Sequence, residues 1–567
     1  MPRQPASRPT AATQPARTGA APEAPRWIRP LLLGLTALLF LTWFTGEVAD
    51  TDIWLHLMTG RHTLQTRALT VPDPFCYTSS LSSAAYPGEA ATRYFNLTHE
   101  WLAQILMYLI HGASGFPGLV LLRAVLLIAF CGLVGLMVWW RTSGFYRSLA
   151  AAIAAGAVAS NFQQSRPFLV TFVLLAVTMA ILERRRWMWA LVPLFIFWAN
   201  CHGGYFIGWM MLGAYCGEAL IQRLRRRPVV GERQLWLVAI ASFLASAINP
   251  NGFRVIQIML YYRGSSIQSG NLEWQYPAFW LPPYGYAVVL IGSLAALLLS
   301  WRRTRPVDWI LYFVFAAASL LAVRNTILMG LVGAVLLGAY LPVWKRAVPA
   351  AAEFAAASLV VFAIALAVQG GGVFQFRAAE WMLPVSAADF LQAHNVTGRM
   401  FNTYENGGYL VWRLWPTERD FIDPRGLSEE AYADYSRILY YADSNGGPSA
   451  DELLAKYAIQ VLVLDGFDRF SGNVRTLAAA LSDPSQKEWK LVQADNRSVV
   501  FMRQPPPGVQ PLNNLQALES IEAQCRQQIE HRPNQPSCAR GISELYTKIG
   551  QTARAAQWMS YYESLSH

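Results

Sequence analysis

Acidic residues and a histidine follow directly after the first membrane-length apolar run of the chain. That run covers residues 31–48, and Asp50, Asp52 and His56 come soon after it. Asp52 and His56 are four residues apart, so they share a face if the segment is helical. A carboxylate beside a histidine could act as a general base on an acceptor hydroxyl, or the group could hold a divalent cation. The structural alternative is that Asp50 or Asp52 only caps a helix that begins near Ile53.

A second histidine and carboxylate, His99 and Glu100, stand at the end of the loop that Asp50 opens. If the two ends of the loop meet, Glu100 could contact a donor. It could also complete a site for Mg²⁺ or Mn²⁺ with Asp50 and Asp52, because these cations prefer oxygen ligands. Equally, Glu100 could have only a structural role, because a negative charge at the start of the next helix interacts favourably with the helix dipole.

Four more polar residues interrupt the apolar pattern. Arg166 and Arg324 each precede an apolar segment on the side away from the arginine clusters, and Asn325 follows Arg324. A guanidinium at such a place could bind the phosphate of a lipid bidentately, or it could only reach phospholipid headgroups. A tight turn explains the glycines of residues 200–204. That leaves His202 in the turn as a further candidate to line a substrate cavity.

The composition shows what must position these residues. The chain of 567 residues is 54% hydrophobic and only 14% charged, with a mean hydropathy of +0.26. Soluble domains carry about 25% charged residues, so we interpret this chain as a polytopic α-helical membrane protein. The net charge of +11 does not indicate nucleic-acid binding. The arginines form short clusters between apolar runs, where they orient membrane helices.

The arginine clusters predict the topology. They follow alternate apolar runs, so the positive-inside rule places them and a disordered N-terminus, residues 1–27, in the cytoplasm. The clusters are Arg141 with Arg147, 184–186, 223–227, 302–303 and 345–346. About eleven crossings in residues 28–370 satisfy this alternation. A crossing by the short apolar segment 99–112 would reverse it. We therefore predict an amphipathic helix at the outer interface for that segment, with twelve crossings as the alternative.

This topology sends five polar segments that are far apart in sequence to the extracytoplasmic face of the plasma membrane. They are the first outer loop (49–115, with interface helices), 161–166, 200–204, 249–252 and 324–325. Their convergence is the strongest functional argument in the sequence.

Beyond residue 372 the composition becomes that of a soluble domain on the same outer face. Residues 373–505 predict a small α/β domain. Its predicted strands are 398–402, 407–412, 459–464 and 498–502, and its predicted helices are 386–394, 428–441 and 450–457. We interpret Asp423 and Arg425 as a structural ion pair.

Residues 511–567 predict two helices, 515–531 and 537–564, that resemble a single tetratricopeptide repeat. We expect this hairpin to pack on the α/β domain or to bind a protein partner. Cys525 and Cys538 flank its turn, in a compartment where a disulfide could form.

The arrangement resembles the integral-membrane C-type glycosyltransferases (GT-C), which use polyprenyl-phosphate-linked donors. That class shares a first membrane helix, a long first outer loop with interface helices, and an acidic residue soon after the first helix. Many members end in an outward soluble domain. Asp50 or Asp52 matches the acidic position, residues 99–112 look like the interface helix, and Arg166 looks like the arginine of a later outer helix end.

Shorter motifs resemble a group of bacterial membrane proteins of this type. They are 52–60, 73–75, 99–102, 401–409 and 421–425, and the resemblance covers residues 28–505. It implies sugar transfer from a lipid-linked donor to a protein or glycan acceptor, among membrane lipids. Arg166 and Arg324 would stabilise the departing phosphate. The alternative is a non-enzymatic membrane scaffold that recruits a partner through its outer domains.

Overall fold

The structure is a computed structural model that describes residues 25–81, 83–342, 350–483 and 485–566. Most of the predicted N-terminal disorder (residues 1–24) and the basic pair Lys345 and Arg346 lie outside the described residues.

The first two thirds of the described chain are helical. The helices are α1 (Ile28–Phe44), α2 (Asp52–Thr66), α3 (Glu89–Thr98), α4 (Trp101–Thr142), α5 (Phe145–Ala159), α6 (Phe168–Arg184), α7 (Leu191–Cys201), α8 (Tyr205–Leu224), α9 (Glu232–Ala245), α10 (Val255–Tyr261), α11 (Ser266–Gly270), α12 (Gly285–Leu299), α13 (Pro306–Leu320), α14 (Ile327–Tyr340) and α15 (Ala350–Gln369). One large apolar core joins helices from this region.

Three helical stretches of the described residues are long and apolar enough to cross a membrane: Glu89–Thr142, Val323–Tyr340 and Ala350–Gln369. Five shorter apolar stretches of 10–17 residues accompany them: Ile28–Phe44, Phe145–Ala159, Met188–Cys201, Gly285–Leu299 and Pro306–Leu320. A membrane protein of many helices is thus supported by length and composition. The number of eleven crossings stays a prediction.

The predicted interface helix 99–112 is continuous with the membrane-length helix that follows it. Together they form α4, whose helical geometry is interrupted at Gly115 (φ 62°, ψ −154°). Glycine adopts this positive φ without strain, and Pro117 follows two residues later, where it cannot donate a helical hydrogen bond. The break divides α4 into a shorter segment before Gly115 and a longer apolar segment after it.

Helix α2 lies between the helical bundle and the C-terminal region. Its apolar residues share a core with α4 and with residues 378–414. Trp54 packs edge-on against Tyr409, with ring centroids 5.1 Å apart. Gly60 permits a close approach to α4, because a Cβ there would collide with the carbonyl oxygen of Gln104. This packing fixes the orientation of α2.

The C-terminal region contains a four-stranded sheet with the strand order β1-β2-β4-β3. The strands are β1 (Met400–Asn402), β2 (Val461–Leu464), β3 (Lys490–Ala494) and β4 (Val499–Met502). β1 and β2 are parallel, whereas β4 runs antiparallel to both β2 and β3. The helices here are α16 (Val385–Ala393), α17 (Gly407–Leu414), α18 (Glu429–Leu439), α19 (Ala450–Lys456), α20 (Thr476–Ala480), α21 (Gln516–His531), α22 (Ser537–Lys548) and α23 (Thr552–Leu565).

Two sequence predictions for this region are wrong, and one strand was not predicted. Residues 407–412 form helix α17 and not a strand, since a short apolar run does not distinguish a buried helix from a buried strand. The edge strand β3 was missed because polar residues mask its alternation. The predicted helix 537–564 is two helices, interrupted where Gly550 takes a positive φ of 79°.

The last helices pack on the sheet. Ile521, Cys525 and Trp558 belong to the same buried core as the strand residue Phe401. Cys525 and Cys538 form a disulfide between α21 and α22. The sequence left open whether residues 511–567 pack on the α/β region or bind a partner. In the structure they pack on the α/β region.

Candidate active site

Arg166 is the centre of a group of three carboxylates. Its Nε and Nη2 donate to Oδ2 and Oδ1 of Asp50, both at 2.7 Å. Its Nη1 lies 3.0 Å from Oδ2 of Asp52 and 3.4 Å from Oε1 of Glu273. Arg166, which the sequence offered as a phosphate ligand, therefore already holds three acidic groups. The ionised group carries a surplus of negative charge.

The two aspartates are held differently. Both oxygens of Asp50 bind Arg166, and Oδ1 also accepts from the backbone N–H of Asp52 at 3.3 Å. The side chain of Asp50 is 5% exposed, and that of Asp52 is 19% exposed. Arg166 contacts Oδ2 of Asp52, and no hydrogen bond from a described residue reaches the second carboxylate oxygen.

This difference separates their proton affinities. Burial disfavours the Asp50 carboxylate, but its ion pair with Arg166 outweighs burial and holds the pKa of Asp50 below its usual value. Burial raises the pKa of Asp52 to about 7. Arg166 opposes that rise, whereas the charges of Asp50 and Glu273 add to it. Asp52 can therefore gain and lose a proton near neutrality, as a general base must.

Glu100 lies among three histidines. Its Oε2 is 3.6 Å from Nδ1 of His56, and its Oε1 is 3.4 Å from Nε2 of His99 and 3.8 Å from Nε2 of His202. The Nε2 atom of His56 is buried and has no hydrogen-bond partner among the described residues. Asp52 and His56 lie one turn apart on α2, so this group adjoins the arginine group.

A hydrogen-bond chain fixes the ring of His202. The backbone N–H of Gly204 donates to His202 Nδ1 at 3.0 Å, so Nδ1 is an acceptor and the proton of a neutral ring lies on Nε2. Trp198 Nε1 donates to Thr171 Oγ1, which lies 2.8 Å from the same Nδ1. Burial lowers the pKa of His202 to about 3, so the ring is neutral at pH 7. Its Nε2–H faces Glu100.

Further hydrogen bonds join three of the five polar segments that the predicted topology groups together. Trp101 Nε1 donates to Asn200 Oδ1 at 2.9 Å, and Asn200 Nδ2 donates to the Ile248 carbonyl at 2.7 Å. Asn251 Nδ2 donates to Thr98 Oγ1 at 3.0 Å. These bonds join the ends of α3, α4, α7 and α9 around the charged groups.

Arg324 completes the site from a different side. Its guanidinium lies 4.8 Å from the ring centroid of Trp274, the residue next to Glu273. Among the described residues, no carboxylate oxygen lies within 4 Å of it, so its charge can serve a ligand. Asn325 instead donates its side-chain amide to the carbonyl of Ala318 and closes the end of α13.

Two charged residues of this region were missed in the sequence. Glu273 lies in a single 3₁₀ turn, Leu272–Trp274, where no flanking pattern distinguishes it from a surface residue. Arg123 is fully buried within the apolar length of α4. A charge inside a membrane-length run is itself a signal of function, and that signal was present.

The only group of metal-ligand type that stands out among the described residues lies elsewhere. Ligand atoms of Asp73, Cys76 and Asp423 lie within 4.8 Å of one another. Arg425 binds both carboxylates, with Nη1 2.9 Å from Asp73 and Nη2 2.5 Å from Asp423. Asp423 and Arg425 thus form an ion pair, and Arg425 also pairs with Asp73 of the first outer loop. A divalent cation at Asp50, Asp52 and Glu100 stays a prediction.

No protein-family model and no curated protein matches the chain. Solved structures are similar to it. The oligosaccharyltransferase of Archaeoglobus fulgidus, tethered with an acceptor peptide containing the NVT sequon, has 12% identity and a TM-score of 0.48 over 88% of this chain and 77% of that chain. Its apo form has 13% identity and a TM-score of 0.48 over 86% and 76%. ArnT from Cupriavidus metallidurans bound to undecaprenyl phosphate has 13% identity and a TM-score of 0.46 over 86% and 99%. Both kinds of protein are GT-C glycosyltransferases that use polyprenyl-phosphate-linked donors, the class that the sequence resembles.

Proposed function

We propose that this protein is a membrane glycosyltransferase that moves a sugar from a polyprenyl-phosphate-linked donor to an acceptor hydroxyl at the extracytoplasmic face. One observation carries the proposal. Asp52 has a carboxylate oxygen that no described residue bonds, in the same polar cluster as Arg324, whose guanidinium no described carboxylate contacts. A base and a phosphate ligand are the two groups that this transfer needs.

In the proposed reaction the acceptor oxygen attacks the anomeric carbon of the donor sugar. The bond between that carbon and the phosphate oxygen breaks, and the bonding electrons leave with the polyprenyl phosphate. The acceptor proton passes to the free oxygen of Asp52. Arg324 stabilises the phosphate, where negative charge accumulates, and the stacking on Trp274 holds the guanidinium in place.

Asp50 and Arg166 have supporting parts in this proposal. Asp50 is fully engaged by Arg166 and has no oxygen to spare for an acceptor. Arg166 in turn holds Asp52 by a single oxygen, which orients the carboxylate without neutralising it. Of the two aspartates, we therefore assign the base to Asp52 and the orienting role to Asp50.

The position of the cluster fits a lipid donor. It lies where several apolar helices end, so a phosphate could reach it while its polyprenyl chain stays in the bilayer. ArnT is similar to this chain and its structure holds undecaprenyl phosphate. We propose that a lipid phosphate of this kind is the carrier to which the donor sugar is attached. The C-terminal region packs on α2 beside the cluster, and we propose that it positions the acceptor.

The test uses the full chain in lipid nanodiscs with a panel of undecaprenyl-phosphate-linked monosaccharides. Release of undecaprenyl phosphate is measured with extracted membrane glycans and proteins as acceptors. We expect Asp52→Asn to slow release by about 10²–10⁴-fold, the usual contribution of a general base. Asp389→Asn is the matched control, because Asp389 is also paired with an arginine (2.6 Å) but is exposed and has no contact with Arg166, Asp50 or Asp52.

The scaffold alternative gives the opposite result. It predicts that deleting residues 511–567 abolishes the cellular role while Asp52→Asn has no effect. A correctly folded Asp52→Asn protein that releases the lipid phosphate at the wild-type rate would refute the proposed function.

A further inference from the structure

Arg123 is a buried cation without an acidic partner. It lies on α4 and is 0% exposed. Among the described residues, no carboxylate oxygen lies within 4 Å of its guanidinium, unlike that of Arg166. An unpaired charge in such a place is costly, so its neighbours must stabilise it in another way.

Backbone carbonyl groups provide that stabilisation. Nε of Arg123 donates to the carbonyl of Phe44 at 3.1 Å, Nη2 donates to the carbonyl of Gly46, and Nη1 donates to that of Gln163. Phe44 is the last residue of α1, whose final carbonyl groups lack partners within the helix. The arginine therefore satisfies the end of α1 and complements the negative end of its dipole.

The two segments that Arg123 joins both lead into the candidate site. Asp50 follows Gly46 by four residues, and Arg166 follows Gln163 by three. No helix lies between either contact and the residue that it precedes. One side chain on α4 thus holds the chain on both sides of the Asp50–Arg166 ion pair.

We propose that Arg123 is a positioning residue that sets the geometry of the Asp50–Arg166 pair, and through it the orientation of Asp52. This proposal rests on the proposed function for its catalytic consequence. The tether itself does not depend on any reaction. Arginine suits the role because its planar fork presents donors in several directions, whereas lysine offers a single charged point.

The first test measures the tether without any substrate. Hydrogen–deuterium exchange of the full chain in nanodiscs is compared for wild type, Arg123→Lys and Arg123→Met. We expect faster exchange in residues 45–52 and 161–166 together, more for Met than for Lys. Arg147→Met is the matched control, because Arg147 also donates to two carbonyls, those of Ala339 (3.0 Å) and Leu341 (2.7 Å), away from the site. Exchange that rises in only one segment, or in neither, would overturn the tether.

The second test measures catalysis with the donor that wild type uses. We expect Arg123→Met to lower kcat on the order of 100-fold, as a small misplacement of catalytic groups does, with little change in KM. Arg123→Lys should recover part of the loss. Arg123→Met should also shift the pH midpoint of the rate upward, because an Asp52 carboxylate that Arg166 holds less closely is harder to ionise.

The two tests fail separately. If wild type transfers no sugar, the proposed function fails, while the exchange experiment still decides whether the tether exists. If both segments loosen but kcat and the pH midpoint stay as in wild type, the positioning role is wrong. Should Arg123→Met not fold, the milder Arg123→Lys supplies both readouts.

Discussion

Two buried ion clusters lie at opposite ends of helix α6. Arg166 stands just before the helix, in the candidate site, whereas Glu183 lies in its last turn. Glu183 pairs with Arg141 at 2.7 Å and with Arg305 at 2.8 Å, and both arginines also pair with Asp308. We call these four residues the closed quartet.

The closed quartet is balanced and the candidate site is not. The quartet has two arginines for two carboxylates, and the hydroxyls of Tyr215 and Tyr340 donate to its acids. In the site, one arginine meets three carboxylates. Within the part of the chain that the structure describes, the buried His56 Nε2 and Gln104 Oε1 also lack hydrogen-bond partners.

The contrast separates stability from function. A balanced, fully bonded cluster holds helices together, and removing one member leaves an uncompensated charge. A cluster with surplus charge and free polar atoms stays costly unless a ligand or a proton completes it. That is the condition expected of a site whose carboxylate receives a proton from a ligand, as Asp52 does from the acceptor hydroxyl in the proposed reaction.

The largest expected effect comes from breaking the balance. Glu183→Ala leaves Arg141 and Arg305 to share one carboxylate, so we expect a loss of about 3–5 kcal/mol in the free energy of unfolding. Thermal unfolding in detergent measures the loss. A Glu183→Ala protein as stable as wild type would show that charge balance does not mark a structural cluster.

A second prediction concerns the pH dependence of transfer. Asp52 accepts a proton only when ionised, and its pKa is raised to about 7. We therefore expect the rate to rise with pH, with a midpoint near 7 and a slope of about tenfold per pH unit below it. The initial rate of lipid-phosphate release from pH 5 to 9 checks this. A flat profile across this range would exclude Asp52 as the base.

The smallest effect is expected from removing one surplus charge. Glu273→Gln deletes a carboxylate that raises the pKa of Asp52, so the pH midpoint should move down by a fraction of a unit. Because the site has an excess of acids, the melting temperature should not fall. Asp389→Asn, which alters an exposed ion pair, should leave the midpoint unchanged. A midpoint that rises in Glu273→Gln would contradict the charge-surplus interpretation.

The sequence predicted which segments meet better than which residues pair. Alternating apolar runs imply that residues near 50, 166 and 202 lie on one side, because the chain must return across the bilayer each time. They do not imply that Arg166 meets Asp50 or that His202 faces Glu100. Those pairings depend on how the helices rotate and pack, which no local pattern encodes.

The misses have similar causes. Residues 407–412 read as a strand because Tyr409 and Leu410 are apolar, but they belong to helix α17, in which Gly408 packs closely against Leu55 of α2. Glu273 has no sequence neighbours that mark it as buried. Arg123 was visible as a charge in an apolar run, but its partners are backbone carbonyls that a sequence does not display.

The ion pair between Asp73 and Arg425 has a consequence for the order in which the molecule is assembled. The two residues are 352 positions apart, and Glu89, on α3, accepts from the backbone of Glu429 across 340. The chain is synthesised from its N-terminus, so the first outer loop is made long before the C-terminal residues that it contacts. The first outer loop therefore completes these two contacts only after the C-terminal region has been synthesised.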